Sequence, residues 1–278
     1  MTEFPRRGAV VLGSPIAHSL SPVLHRAAYQ ALGLSDWRYD AVECGEAELA
    51  STLQRLDAEG LAGASLTMPL KRSVLAMLAR TDRLAADVGA ANTVLFGAEP
   101  GVWWGANTDV PGMVAALRGV GGLDPRSVAV LGGGATATSA LAALRELGIS
   151  GATVYARRPE AADELRAGAA RMGLHVDVVP FAQAAASAEA DLTIATTPAG
   201  ATDELAAALP VRVAGVLFDV VYDPWPTALA AAWSSRSGTV VGGLELLVAQ
   251  AAEQVRLMTG LQPPIAEMRA AGLVASRG

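Results

Sequence analysis

The stretch Val128-Ala129-Val130-Leu131-Gly132-Gly133-Gly134-Ala135-Thr136-Ala137 decides the fold of this chain, together with Ala156-Arg157-Arg158 further on. Val128 to Leu131 is a short, wholly apolar run, as a strand buried on both faces should be. The glycines follow at once and fit Gly-x-Gly-x-x-Ala at Gly132, Gly134 and Ala137. Thr138 to Leu147 reads as a helix stopped by Gly148, and Ala152 to Ala156 as a second strand. Glycines here let the backbone turn tightly and approach a pyrophosphate, whose charge suits the helix N-terminus that follows. The tip of the second strand refines the reading. An acid there would bind the ribose 2′-hydroxyl of NAD, but this chain places Arg157 and Arg158 there, and guanidinium groups suit the 2′-phosphate of NADP. The candidate cofactor residues are therefore Gly132, Gly133, Gly134, Ala135, Thr136, Ala156, Arg157 and Arg158.

Working outward, the chain of 278 residues has room for two domains, and its 52% hydrophobic content supplies a sizeable core. With 21 basic and 27 acidic residues the net charge is −6, and no cationic run exceeds two residues, which argues against a nucleic-acid partner. The longest uncharged stretch, Ser127 to Leu144, is the glycine-interrupted strand, turn and helix above rather than a membrane span. Met1 to Arg7 carries no apolar segment of signal length, and the lone Cys44 fits a reducing compartment, so a cytoplasmic location is expected. Of the histidines, His18, His25 and His175, only His175 has a nearby acid, Asp177, and no third ligand joins them; no metal is expected.

Short apolar strands alternate with alanine-rich helices, the pattern of an α/β protein with mostly parallel sheets. In the first part, Ala9 to Leu12, Trp37 to Glu43 and Gly63 to Leu66 read as strands, and Thr93 to Phe96 with Val102 to Trp104 as a hairpin. Ser21-Pro22 opens a helix with Ser21 as N-cap, and Glu46 to Asp57 forms the next. The dinucleotide half runs over residues 108–243, with later strands at His175 to Val179, Leu192 to Ala195, Val216 to Val221 and Thr239 to Val241. A long helix, Leu244 to Thr259, and a shorter one after Pro263-Pro264 come after that half is complete, so residues 244–278 are expected to return to the domain formed by residues 1–107.

Four polar motifs punctuate the first part. Gly13-Ser14-Pro15-Ile16-Ala17-His18-Ser19-Leu20-Ser21 offers two hydroxyls beside a helix start, either for a carboxylate or polyol or simply as a cap. Thr67-Met68-Pro69-Leu70-Lys71 places the only lysine of the chain at the start of a helix, where a cation opposes the macrodipole. Asn92-Thr93 and Asn107-Thr108-Asp109 flank strand ends, with capping by Thr108 or Asp109 as the plain alternative. Were Lys71 and Asp109 to meet, the pair could hold a substrate hydroxyl and shuttle its proton as a carbonyl is reduced.

These motifs, in this order ahead of the glycine turn, resemble the shikimate dehydrogenase family. The likeness covers nearly the whole chain and continues through Ala195 to Gly200, Asp219 to Thr227 and Gly242 to Ala251. It implies an α/β protein of two domains: an N-terminal α/β substrate domain completed by C-terminal helices, and a Rossmann-type dinucleotide-binding domain. It also implies reversible reduction of 3-dehydroshikimate to shikimate by NADPH, a small-molecule partner, a place in aromatic amino acid and chorismate biosynthesis, and a monomer or homodimer. Residue by residue, Ser19 and Ser21 correspond to the pair that holds the substrate carboxylate. Thr67, Asn92 and Gln250 match positions that contact ring hydroxyls, and Tyr222 matches a tyrosine near the carboxylate. Lys71 and Asp109 match the catalytic pair, and Thr196, Val220 and Gly243 complete the cofactor set. Ser65-Leu66-Thr67 departs from the Asn-Val-Thr usual in the family, and Glu245 replaces a small residue expected near the nicotinamide. Two rivals stand beside this reading. A quinate/shikimate dehydrogenase using NAD would favour an acid where Arg157 and Arg158 stand, and a non-catalytic ligand sensor would have lost Lys71 or Asp109.

Overall fold

The computed structural model describes residues 7–158, 160–213 and 215–276. It falls into two compact units, one of the residues up to Asp109 together with those from Val248 onward, the other Val110–Leu247. Both are α/β, as the alternation of elements implies.

The first unit contains β1 (Ala9–Gly13), α1 (Ser21–Ala31), β2 (Tyr39–Glu43), α2 (Leu49–Ala58), β3 (Gly63–Leu66), α3 (Leu70–Ser73), β4 (Arg80–Thr81), α4 (Arg83–Val88), β5 (Thr93–Phe96) and β6 (Trp103–Ala106). The six strands form one sheet in the order β2-β1-β3-β5-β6-β4. β1 and β3 are buried along their whole length and pair in parallel, Ala9 beside Gly63 through Leu12 beside Leu66. β5 runs antiparallel to both β3 and β6, so the sheet is mixed rather than wholly parallel. Leu12, Leu49, Leu53, Leu56, Leu70, Val94 and Trp103 close the core on one face. Asp57 is buried there, and its Oδ2 accepts from the Trp103 indole and the Gly101 amide, both at 2.9 Å.

The second unit begins within α5 (Asp109–Arg118) and continues with β7 (Val128–Leu131), α6 (Ala135–Glu146), β8 (Gly151–Ala156), α7 (Glu160–Arg171), β9 (His175–Pro180), β10 (Leu192–Ala195), α8 (Asp203–Ala208), β11 (Val216–Asp219), α9 (Ala228–Ser235) and β12 (Thr239–Val241). Its strands are all parallel, in the order β12-β11-β10-β7-β8-β9. That is the doubly wound order of a dinucleotide-binding sheet, with its topological switch between β7 and β10. The chain then enters α10 (Gly243–Thr259) and ends the described region with α11 (Ile265–Ala275).

Several expected boundaries move, each for a local reason. Ser21 is the first helical residue rather than the N-cap; its N–H is accepted by Ser19 Oγ at 3.3 Å, and no side chain caps α1. β2 starts at Tyr39 because Trp37 N–H closes a turn onto the Leu34 carbonyl, while the Trp37 ring packs on Tyr29 at 5.2 Å. α6 begins at Ala135, directly after the glycines, and not at Thr138. β11 stops at Asp219, whose carboxylate accepts from Val221 N–H at 3.1 Å and so replaces the ladder with a turn. The second strand of the hairpin is shifted to Trp103–Ala106. α3 is a single turn of four residues, too short for a macrodipole argument about Lys71.

Candidate active site

The parallel pairing of β1 and β3, and of β6 with that direction through β5, sends four connections to one edge of the first sheet. The carboxyl ends of β1, β3 and β6 lead into the serine loop, the Thr67–Lys71 segment and Asn107–Asp109. Because β5 is reversed, it is its beginning, preceded by Asn92, that reaches the same edge. Backbone bonds lock these segments together: Ser14 N–H to the Met68 carbonyl at 3.0 Å, Thr67 N–H to Leu12 at 2.9 Å, Leu66 N–H to Asn92 at 2.7 Å and Asn92 N–H to Ala106 at 3.1 Å. Gly13 is required where the first two meet, since a β-carbon there would overlap the Thr67 methyl group. The Ile16 amide donates to Glu43 Oε2 at 3.1 Å and pins the serine loop. Ser19 and Thr67 are half-buried on this edge and Ser21 is buried beneath it.

Lys71 and Asp109 do meet. Lys71 Nζ lies 2.6 Å from Asp109 Oδ2, with side-chain exposures of only 17% and 7%. In so sheltered a place the ammonium is held by charge and hydrogen bond together. Asp109 Oδ1 accepts from Asn92 Nδ2 at 2.9 Å, so both carboxylate oxygens have donors. Asn92 is almost fully buried; its Oδ1 accepts from Thr108 N–H at 2.8 Å and its Nδ2 also donates to Thr108 Oγ1 at 2.9 Å. Gln250, from α10, brings its Oε1 to 3.3 Å from Asn92 Nδ2. Lys71, Asp109, Asn92 and Gln250, spread over the sequence, thus form one connected cluster, with Ser19 and Thr67 on the neighbouring loops.

Reading of the sequence did not assign Tyr39, Ser65, Thr108 or Gln254 to the site, yet they extend this cluster. Two signals were available: Ser65 is a polar residue inside a wholly buried strand, and Gln254 lies four residues after Gln250 on one helix. Tyr222 and the cofactor residues belong to the second unit.

In that unit the glycine turn joins β7 to α6 at the carboxyl edge. Gly132 has φ +125°, and a β-carbon on it would overlap Thr196 Oγ1. Thr196, just after β10, holds that place by donating both its N–H and its Oγ1 hydrogen to the Leu131 carbonyl at 2.8 Å. The first turn of α6 has no side-chain cap, and a β-carbon at Gly134 would meet nothing within 4 Å. A diphosphate could therefore approach the backbone N–H groups there. Arg157 and Arg158 are exposed just past Ala156, the end of β8, as a 2′-phosphate requires. Gly243 opens α10 where a β-carbon would overlap the Val220 carbonyl, so these two backbones touch after β11 and β12. These residues fit an NADP-type dinucleotide. Glu245 lies half-buried in the first turn of α10, a position that favours an acid.

Comparison with known proteins shows the family of this chain. Residues 11–94 match the family model of the shikimate dehydrogenase substrate binding domain, and residues 243–271 that of the shikimate 5′-dehydrogenase C-terminal domain. The chain is 34% identical over 262 residues to shikimate dehydrogenase (NADP(+)) of Methanothermobacter thermautotrophicus, covering 92% of each chain. The crystal structure of Mycobacterium tuberculosis shikimate dehydrogenase superposes with a TM-score of 0.84 at 40% identity, covering 96% of this chain and 99% of that one. Shikimate 5-dehydrogenase of Thermus thermophilus, solved in complex with NADP(H) and shikimate, gives 0.83 at 34% identity over 97% and 99%. The chain belongs to the shikimate dehydrogenase family.

Proposed function

We propose that this protein reduces 3-dehydroshikimate to shikimate, reversibly, with NADPH. The observation that carries the reading is the sheltered Lys71–Asp109 pair, 2.6 Å apart and tied by Asn92 to Gln250. Bound NADPH supplies the hydride to the carbonyl carbon. Lys71 hydrogen-bonds the reacting oxygen, stabilises the negative charge that grows on it and gives it a proton. Asp109 holds Lys71 in place and, through Asn92, is itself held. Ser19 and Ser21 take the substrate carboxylate, with Tyr222 near it, and Thr67, Asn92 and Gln250 take the ring hydroxyls. Arg157, with Arg158, favours NADP by pairing with the 2′-phosphate. The reading places the protein in the cytoplasm, as a monomer or homodimer.

The test is NADPH and NADH oxidation measured side by side with 3-dehydroshikimate and 3-dehydroquinate. Fast turnover of 3-dehydroshikimate with NADPH is expected. Preferred turnover of the quinate-series acid with NADH would replace this reading by the quinate one, and absence of any turnover would sink both.

A further inference from the structure

Behind Lys71, Asn92 and Gln250 lies a second row of buried polar groups. Gln254 is 1% exposed, Ser65 4% and Tyr39 fully buried. Their hydrogen bonds have a direction that follows from one backbone amide. Thr108 N–H can only donate, and at 2.8 Å it fixes Oδ1 of Asn92, leaving Nδ2 toward Asp109. Thr93 Oγ1, 3.0 Å from the same Oδ1, must therefore donate to it. Its lone pairs are then filled by Gln254 Nε2 at 3.1 Å. That amide nitrogen shares its two hydrogens also with Gln250 Oε1 at 3.1 Å and the Asn92 carbonyl at 3.4 Å, and the carbonyl, which can only accept, independently fixes its orientation. Gln254 Oε1 is left to accept from Ser65 Oγ at 2.9 Å, and Ser65 Oγ to accept from the Tyr39 hydroxyl at 2.7 Å. Burial pushes the Tyr39 hydroxyl far above its ordinary value, so it stays a neutral donor, and the His25 ring stacks on it at 3.8 Å. One directed path of bonds runs from Tyr39 through Ser65, Gln254, Thr93 and Asn92 to Asp109, and each bond polarises the next.

We propose that Gln254 is a positioning residue, backed by Ser65 and Tyr39, that holds the Gln250 and Asn92 amides in a single orientation and, through Asn92, aligns Asp109 on Lys71. The proposal rests on the function given above. Ser65 stands where the family resemblance leads one to expect asparagine, so the hydroxyl is this chain's own way of fixing Gln254.

The test is steady-state kinetics of the full-length protein with Gln254→Met, Ser65→Ala and Tyr39→Phe, each in both substrates. Gln254→Met removes the donors that hold Gln250. Its KM for shikimate should rise about tenfold, the size of one well-placed hydrogen bond, with a smaller fall in kcat and no change in the KM for NADP. Ser65→Ala should move the same constant by about threefold and Tyr39→Phe by less, because each lies one bond further from Gln250. A folded Gln254→Met protein with a lowered melting temperature but unaltered constants would overturn the proposal, as would an equal loss toward NADP. If Gln254→Met does not fold, Ser65→Ala decides by the same criterion. An unaltered protein that neither binds nor oxidises shikimate would refute the functional reading and this proposal with it, whereas an active one with unmoved variants refutes only the array.

Discussion

Replacing Gly132 by alanine perturbs the glycine turn between β7 and α6 at one atom. The new methyl group would overlap Thr196 Oγ1, and that oxygen cannot simply swing aside because it is bonded to the Leu131 carbonyl at 2.8 Å. Forcing the overlap costs about 1–3 kcal/mol in a packed interior. The backbone adds its own penalty: φ +125° suits glycine, and alanine held there loses about 1–3 kcal/mol more. Gly132→Ala alone should thus destabilise the second unit by about 2–6 kcal/mol. Thr196→Ala alone removes one hydrogen bond, about 1 kcal/mol. Combining them removes the overlap, since the nearest remaining Thr196 atoms would lie at 3.4 and 3.6 Å, ordinary contact. The double variant should then recover about 1–3 kcal/mol relative to the sum of the single changes, while the backbone penalty stays. Urea unfolding of the four proteins reads the coupling, and calorimetric titration with NADP reads whether the turn still takes the cofactor. A Gly132→Ala protein within about 0.5 kcal/mol of the parent, or a penalty equal in both Thr196 backgrounds, would refute the argument that this turn is shaped by Thr196.

Burial pushes the His25 imidazole down from 6.5 to about 4, against a smaller opposite effect of its bond to the Ser21 carbonyl. Between those values the unfolded chain binds a proton that the folded one excludes, so stability should be flat above pH 6.5 and fall below it, by about 2 kcal/mol at pH 5. Urea unfolding at pH 7 and 5 checks this against His25→Phe, which keeps a ring on Tyr39 and should lose that part of the slope; an NMR titration of His25 with a midpoint near 6.5 would contradict it. Lys71→Ala should lower kcat by about 10²–10⁴-fold with NADP binding nearly intact, and equal loss of both would remove Lys71 from the chemistry. Arg157→Ala should weaken NADP by about tenfold or more while leaving NAD binding unchanged, and a fixed cofactor preference would overturn the 2′-phosphate assignment.

The doubly wound unit was legible because its evidence is local. Val128 to Leu131 must be a strand, the glycines must turn, and the residues that follow repeat with helical spacing, so one βαβ segment implies the rest of the sheet. The Lys71–Asp109 pair was legible through the family resemblance, since neither composition nor spacing brings residues 38 apart into contact. What failed to show were features decided at a distance. Trp37 has the composition of a strand residue but is drawn into a turn and packed on Tyr29. Ser21 looks like a cap, yet it is the first helical residue, with its own N–H turned to the Ser19 hydroxyl. The Ser65–Gln254 bond joins residues 189 positions apart, beyond the reach of any periodicity.

The reversed strand β5 has a practical corollary. Because it starts at the edge that gathers Lys71 and Asp109 and ends at Phe96, the turn joining it to β6 hangs from the far side of the sheet, where Ala98 to Val102 are exposed. The Gly101 amide, bonded to Asp57, anchors the later half of that turn and leaves Ala98 and Glu99 clear of the bond. The turn is a natural insertion point: a reporter peptide spliced between Ala98 and Glu99 would be displayed to solvent without lengthening any loop that carries a reacting group.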